Sequence, residues 1–344
     1  MIYNNGQNFT NPYNMNYNYI IKRQQEIQKS IQLNSVKRTS MAMGFFATAY
    51  LVMMYVINFI YIGLIYAGPI PSVTNETLYI IEISISVGSA LIPGLIFFII
   101  SRNNIFKFMN KTYVKPTKLV PMIMIGMGVA MIANFAANLF DQNISIFGLE
   151  NHASLNSVAK TAPEIILYII STAIVPAFAE EFAYRGIVLS SLRRFGDGFA
   201  IFCSALLFGA MHGNTTQIIF AFLVGLVFAF VDVKTNSIIP SVIIHFLNNF
   251  YAVITDILQT NDIFDKQFIY IIYFGLIVAF CVIGFLSFVY LTKSDKNAFV
   301  INDKTSETSL LSFSEKMHAF LLNPGVIIAL SLFAAEVILY LLPQ

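Results

Sequence analysis

Nine apolar runs, most of them long enough to cross a bilayer, restrict this chain more than anything else in it. A helix rises about 1.5 Å per residue, so roughly 20 apolar residues match the ~30 Å hydrocarbon core. In lipid only a helix or a closed barrel satisfies its own backbone hydrogen bonds, and runs of this length read as helices. They cover residues 43–67, 78–100, 119–140, 165–192, 199–212, 217–233, 238–254, 268–291 and 325–342. The fifth is short for a span and suits a helix buried inside a bundle. The expected fold is all-α, a polytopic transmembrane helical bundle of about nine membrane helices. Only 11% of the 344 residues are charged, against about a quarter in a soluble domain.

The polar remainder sets the organisation. Residues 1–18 are mostly Asn and Tyr, too polar to bury a core, and read as disordered. Between Tyr19 and Arg38, Ile20, Ile27 and Ile31 recur at helical spacing among Lys22, Arg23, Lys29 and Lys37. That pattern predicts a basic helix on the membrane surface. The chain therefore divides into a polar tail with its surface helix (1–40), N-terminal membrane helices (41–163), a core (164–255) and C-terminal membrane helices (256–344). The polar first 40 residues predict no cleavable signal, and the first apolar run reads as a retained anchor.

Lys and Arg collect in alternate loops. After the N-terminal segment come Arg102, Lys107, Lys111, Lys115 and Lys118, then Arg193 and Arg194, then Lys234, then Lys293, Lys296 and Lys304. The intervening loops carry mainly Glu76, Glu150 with Lys160, and Asp256, Asp262 and Asp265. With nine spans every basic cluster falls on one side, which predicts a cytoplasmic N-terminus. The formal net charge of +2 gives no reason to expect nucleic acid. The partners it implies are the lipid bilayer and whatever enters the bundle. Cys203 and Cys281 lie within spans and form no disulfide or metal pattern. The Asn/Tyr leader and Ile/Asn/Lys-rich composition point to an AT-rich, bacterial genome, hence the plasma membrane.

Inside the fourth run stand Glu180, Glu181 and Arg185. On insertion scales each costs about 2.5–3.5 kcal/mol at the centre of a membrane helix, so each needs a partner, a wet cavity or a chemical task. Glu181 and Arg185 are four residues apart, on one face, and can neutralise one another. Glu180 is displaced from Arg185 by roughly 140° around the helix and points to other helices. Two more polar pairs occur downstream at the same spacing. Phe208 and His212 end the fifth run, and His245 and Asn249 lie in the seventh. Counted from the basic ends of their helices, Glu180 and His212 are each about 20 Å deep, His245 about 10 Å and Asn249 about 16 Å. One chamber between helices 4, 5 and 7 can hold all four.

The motifs Glu-Glu-x-x-x-Arg, Phe-x-x-x-His and His-x-x-x-Asn, in this order, resemble the signature of the CAAX prenyl protease and bacteriocin-processing (CPBP, or Abi) intramembrane proteases. The resemblance covers about 164–254. It implies an intramembrane endopeptidase acting on a membrane-associated protein or peptide. Carried over, Glu180 is the general base for water, His212 helps hold that water, and His245 and Asn249 stabilise the oxyanion. Glu181 and Arg185 support them, with Phe208 against His212. A desolvated carboxylate is a stronger base than a hydrated one. Glu180, His212 and His245 also form a three-ligand set for Zn²⁺ with an open fourth position. No His-Glu-x-x-His helix is present, and a metal-free glutamate mechanism is the preferred expectation.

Two other classes compete. Intramembrane Glu, His and Arg also serve proton-coupled transporters, though no inverted repeat or pair of broken helices is visible here. A catalytically silent scaffold or immunity protein of the same fold is the other. Glu82, Asp232 and Glu336 have no role in any of these readings. Asn134 and Asn138 read as interhelical hydrogen-bonding groups, and His152 and His318 as solvated loop residues.

Overall fold

The computed structural model describes residues 12–70, 73–102, 112–144, 159–261, 264–303 and 305–341. Among these it is all-helical, with no β-strand. In chain order the helices are α1 (Pro12–Tyr66), α2 (Asn75–Ser101), α3 (Pro116–Ile144), α4 (Ala162–Phe195), α5 (Asp197–Ala210), α6 (Thr215–Thr235), α7 (Ile239–Thr260), α8 (Lys266–Ser294), α9 (Phe313–Leu321) and α10 (Pro324–Leu341). Seven are long and apolar enough to cross a membrane, or eight if α9 and α10, bent by 64°, form one broken span. The expected fifth span is the 14-residue α5, too short to cross a membrane by itself.

α1 differs from its expected form. It is one helix of 55 residues, about 80 Å long, so the basic stretch Tyr19 to Arg38 continues the first span directly. Residues 12–18, expected to be disordered, have helical backbone. The rest of the leader, Lys107, Lys111, Glu150, His152, Asp262 and Lys304 lie outside the described residues. His318 is exposed, as expected, but sits in helix α9 instead of a loop.

With no hydrophobic drive between helices in lipid, close packing needs small residues at the crossings. Gly128 of α3 and Gly284 of α8 face each other: a Cβ on Gly284 would lie 2.9 Å from the Met124 carbonyl. Gly44 of α1 meets the backbone of Gly325 at the start of α10. Gly44→Val should therefore force these helices apart and cost about 1–3 kcal/mol. Thermal unfolding in detergent reads this directly, with Gly63→Val as the neutral control, since nothing lies within 4 Å of a Cβ there.

The α4–α5 turn is closed by buried polar groups. Asp303 Oδ1 accepts from the Gly198 and Phe199 amides at 2.8 and 3.2 Å, capping α5. Lys316 Nζ donates to the Phe195 carbonyl at the end of α4, at 2.8 Å, and to Asp303 O at 3.0 Å. α5 packs on α6 and on α4, while α7 packs on α4, α3 and α6. Helices 4, 5 and 7 thus surround a common interior, with α6 filling the side between α5 and α7.

Candidate active site

Glu180 and Glu181 end a short α-helical stretch, Val175–Glu181, between two π-helical stretches of α4, Ile170–Ile174 and Phe182–Leu189. Such π turns are rare and are frequently found at functional sites. Pro176 has no N–H to offer the Thr172 carbonyl four residues earlier. Asn249 Nδ2, on α7, donates to that carbonyl at 3.0 Å. A proline in one helix thereby leaves an acceptor that orients an amide in another.

Glu181 is fully buried, and its Oε1 accepts from Arg185 Nη1 at 3.1 Å and His245 Nδ1 at 2.9 Å. The i,i+4 ion pair is the expected one. The bond to His245 adds a second task, since Glu181 ties the fourth helix to the seventh. Arg185 also donates from Nη2 to the Gly225 carbonyl at 3.3 Å. Its guanidinium lies over the Phe208 ring, 4.1 Å from the centroid, and 5.2 Å from that of Phe228. A buried cation is thus held by a carboxylate, a carbonyl and two aromatic faces.

The two imidazoles are oriented from behind. His212 Nδ1 lies 2.8 Å from the Phe208 carbonyl. A carbonyl only accepts, so Nδ1 carries the proton and the neutral ring presents Nε2 as an acceptor. Phe208 packs edge-on against the same ring, centroids 5.0 Å apart. His245 likewise gives Nδ1–H to Glu181 and turns Nε2 toward Glu180, whose Oε2 stands 3.9 Å away. That separation is too long for a direct hydrogen bond and short enough for one water to bridge.

A cavity of about 520 Å³ brings the sequence candidates together: Glu180, His212, His245, Asn249 and Phe208 all line it. Glu181 and Arg185 stand behind its wall, in contact through His245 and Phe208. The volume suits a small ligand or a peptide segment. Among the described residues no three His, Cys, Asp or Glu side chains are grouped as metal ligands. Glu180, His212 and His245 share the cavity without being grouped as ligands of one ion.

Several participants were not legible in the sequence. Asn248 is buried and lines the cavity. It accepts from Asn134 Nδ2 at 2.9 Å and donates to Asn249 Oδ1 at 3.3 Å. Asn134 is interhelical as expected, whereas Asn138 bonds within its own helix, to the Asn134 carbonyl. The doubled Asn in Asn248-Asn249 was the available signal. Glu82 and Glu336 also line the cavity, and Glu336 Oε1 accepts from Tyr55 at 3.0 Å. Asp232 is structural: its carboxylate accepts from the Ser241 amide and hydroxyl at 3.2 and 2.7 Å, pinning α6 to the first turn of α7.

Residues 162–251 match the family model described as Type II CAAX prenyl endopeptidase Rce1-like. A curated protein of Bacillus subtilis (strain 168), named "Putative membrane peptidase YdiL", is 27% identical over 147 residues. That alignment covers 40% of this chain and 59% of the relative, so the chain spans little more than half of that protein's length. No solved structure matches the chain at a significant level. The matched region runs from the start of α4 into α7 and contains all three motifs.

Proposed function

We propose, for a chain whose residues 162–251 belong to the CPBP family of intramembrane proteases, that it is an intramembrane endopeptidase using a glutamate-activated water. The observation that carries this reading is the single cavity, inside membrane-spanning helices, that Glu180, His212, His245 and Asn249 all line. The substrate class is a membrane-associated protein or peptide that presents an extended backbone to that cavity.

Water bound between Glu180 and His212 Nε2 loses a proton to the Glu180 carboxylate as its oxygen attacks the scissile carbonyl carbon. The negative charge moves to the carbonyl oxygen. Asn249 meets it with its second N–H, the first being committed to Thr172. His245, when doubly protonated, donates to it from Nε2 while Nδ1–H stays on Glu181. Collapse of the tetrahedral intermediate breaks the C–N bond, and Glu180 returns the proton to the leaving amine. Donors fixed in advance at the oxyanion lower the barrier without reorganising in the transition state.

Asn249→Ala should reduce kcat about a hundredfold with little change in KM, because the lost donor acts on the transition state. Steady-state cleavage of a fluorogenic peptide by purified protein measures it; a change confined to KM would remove Asn249 from the oxyanion role. The mechanism also predicts that a strong chelator leaves the cleavage rate unchanged. Loss of activity restored by Zn²⁺ would transfer the activation of water to a metal.

A further inference from the structure

A second cavity, of about 780 Å³, lies between α1 and the ends of α2, α4 and α6. Three guanidinium groups stand on its wall, those of Arg38, Arg193 and Arg194. Two are already engaged. Arg193 bonds Asp197 at 3.1 Å and Asn236 at 2.9 Å, and Arg194 bonds Thr39 at 2.6 Å with Glu307 at 3.6 Å. Those two carboxylates are the acids on the wall, so one positive charge is left over. Arg38 carries it: its exposed side chain makes no hydrogen bond or ion pair among the described residues.

The hydroxyls of Ser101 and Ser191 belong to the same wall, and both are buried without a hydrogen-bond partner. A solvated rim of arginines would account for the charge but leaves two dry hydroxyls unexplained, since a buried polar group without a partner is costly. Surplus positive charge plus spare O–H donors describes the complement of a multiply accepting anion. The location narrows the choice. Ser101 closes the apolar span α2, where the adjoining Ile99 and Ile100 are 76% and 77% exposed. Phe97 and Met43 supply an apolar side to the cavity. This is the level of the bilayer at which headgroups meet acyl chains, and basic pockets between membrane helices there take phosphate headgroups.

We propose that this cavity binds a phosphate group, that of an anionic phospholipid whose chains run along the Phe97 side. Arg38 supplies the uncompensated charge and Ser101 and Ser191 donate to phosphate oxygens.

The test is native mass spectrometry of the full-length protein in detergent, titrated separately with short-chain phosphatidylglycerol, short-chain phosphatidylcholine and inorganic phosphate. Phosphatidylglycerol should bind at least tenfold more tightly than phosphatidylcholine. Arg38→Gln should weaken it by about tenfold. Lys37→Gln removes the same charge one residue away, outside the cavity, and should leave binding unchanged. Ser191→Ala, a smaller change, should weaken binding severalfold and serves if Arg38→Gln misfolds. Equal losses in the Arg38 and Lys37 variants, or equal affinity for the two lipids, would overturn the site. Inorganic phosphate binding as tightly as phosphatidylglycerol, and not displaced by it, would overturn the lipid assignment in favour of soluble phosphate.

Discussion

Glu180→Gln should leave the protein folded and lower peptide cleavage by about a thousandfold. The two parts of that expectation have separate grounds. The substitution keeps shape and volume, and Glu180 makes no direct hydrogen bond to its neighbour His245, being 3.9 Å from it. Its side chain keeps access to the cavity, at 15% exposure. Little native structure is therefore lost. The amide, however, cannot take a proton from water, and a positioned general base contributes about 10²–10⁴ in rate. A melting temperature close to wild type, together with kcat reduced without a matching rise in KM, is the expected pair of readings. Cleavage at near wild-type rate by folded Glu180→Gln protein would remove the carboxylate from the chemistry.

The largest effect on stability should come from Arg185→Met. Its side chain is 1% exposed and its partner Glu181 is fully buried. Removing the cation leaves a carboxylate inside the bundle with only the His245 bond, and breaking a buried pair on one side costs about 3–5 kcal/mol. The stacking of the guanidinium on Phe208 and Phe228 is lost as well. Replacing both partners, Glu181→Gln with Arg185→Met, should recover much of the loss, because no unpaired charge remains. Activity separates the two roles of Glu181. The double variant should regain stability but not full cleavage, since a neutral amide oxygen can still accept from His245 Nδ1–H but no longer stabilises the doubly protonated imidazole that meets the oxyanion. Thermal unfolding in detergent and peptide turnover, read on the same preparations, decide this. A double variant no more stable than Arg185→Met would show that the pair is not the source of the loss.

Much of the bundle and its polar interior could be read from the chain because membrane helices obey local rules. Span length follows from bilayer thickness, and the i,i+4 spacing alone joined Glu181 to Arg185 and Phe208 to His212. Contacts between helices were less accessible. No periodicity indicates that Glu181 reaches His245 across 64 positions, or that Pro176 leaves the Thr172 carbonyl for Asn249. The continuity of α1 is not legible in the sequence for a different reason. Polar composition argues against burial, but a helix that projects from the membrane needs no burial along its outer half, so residues 12–40 read as separate from the span they extend. Glu82 and Glu336 were visible as misplaced charges, while their position on the cavity wall depends on how α2 and α10 pack, which spacing within either helix does not encode.

The proposed reaction is hydrolysis of a peptide bond inside the bilayer by the carboxylate, two imidazoles and amide around this cavity. Its most direct test is the wild-type protein purified and reconstituted in vesicles with a library of membrane-anchored peptides. New peptide termini are read by mass spectrometry while proton flux is recorded on the same vesicles. Defined cleavage products that depend on Glu180 and His212 are expected, with no flux above empty vesicles. Proton flux that requires Glu180, in vesicles where every peptide stays intact, would contradict it.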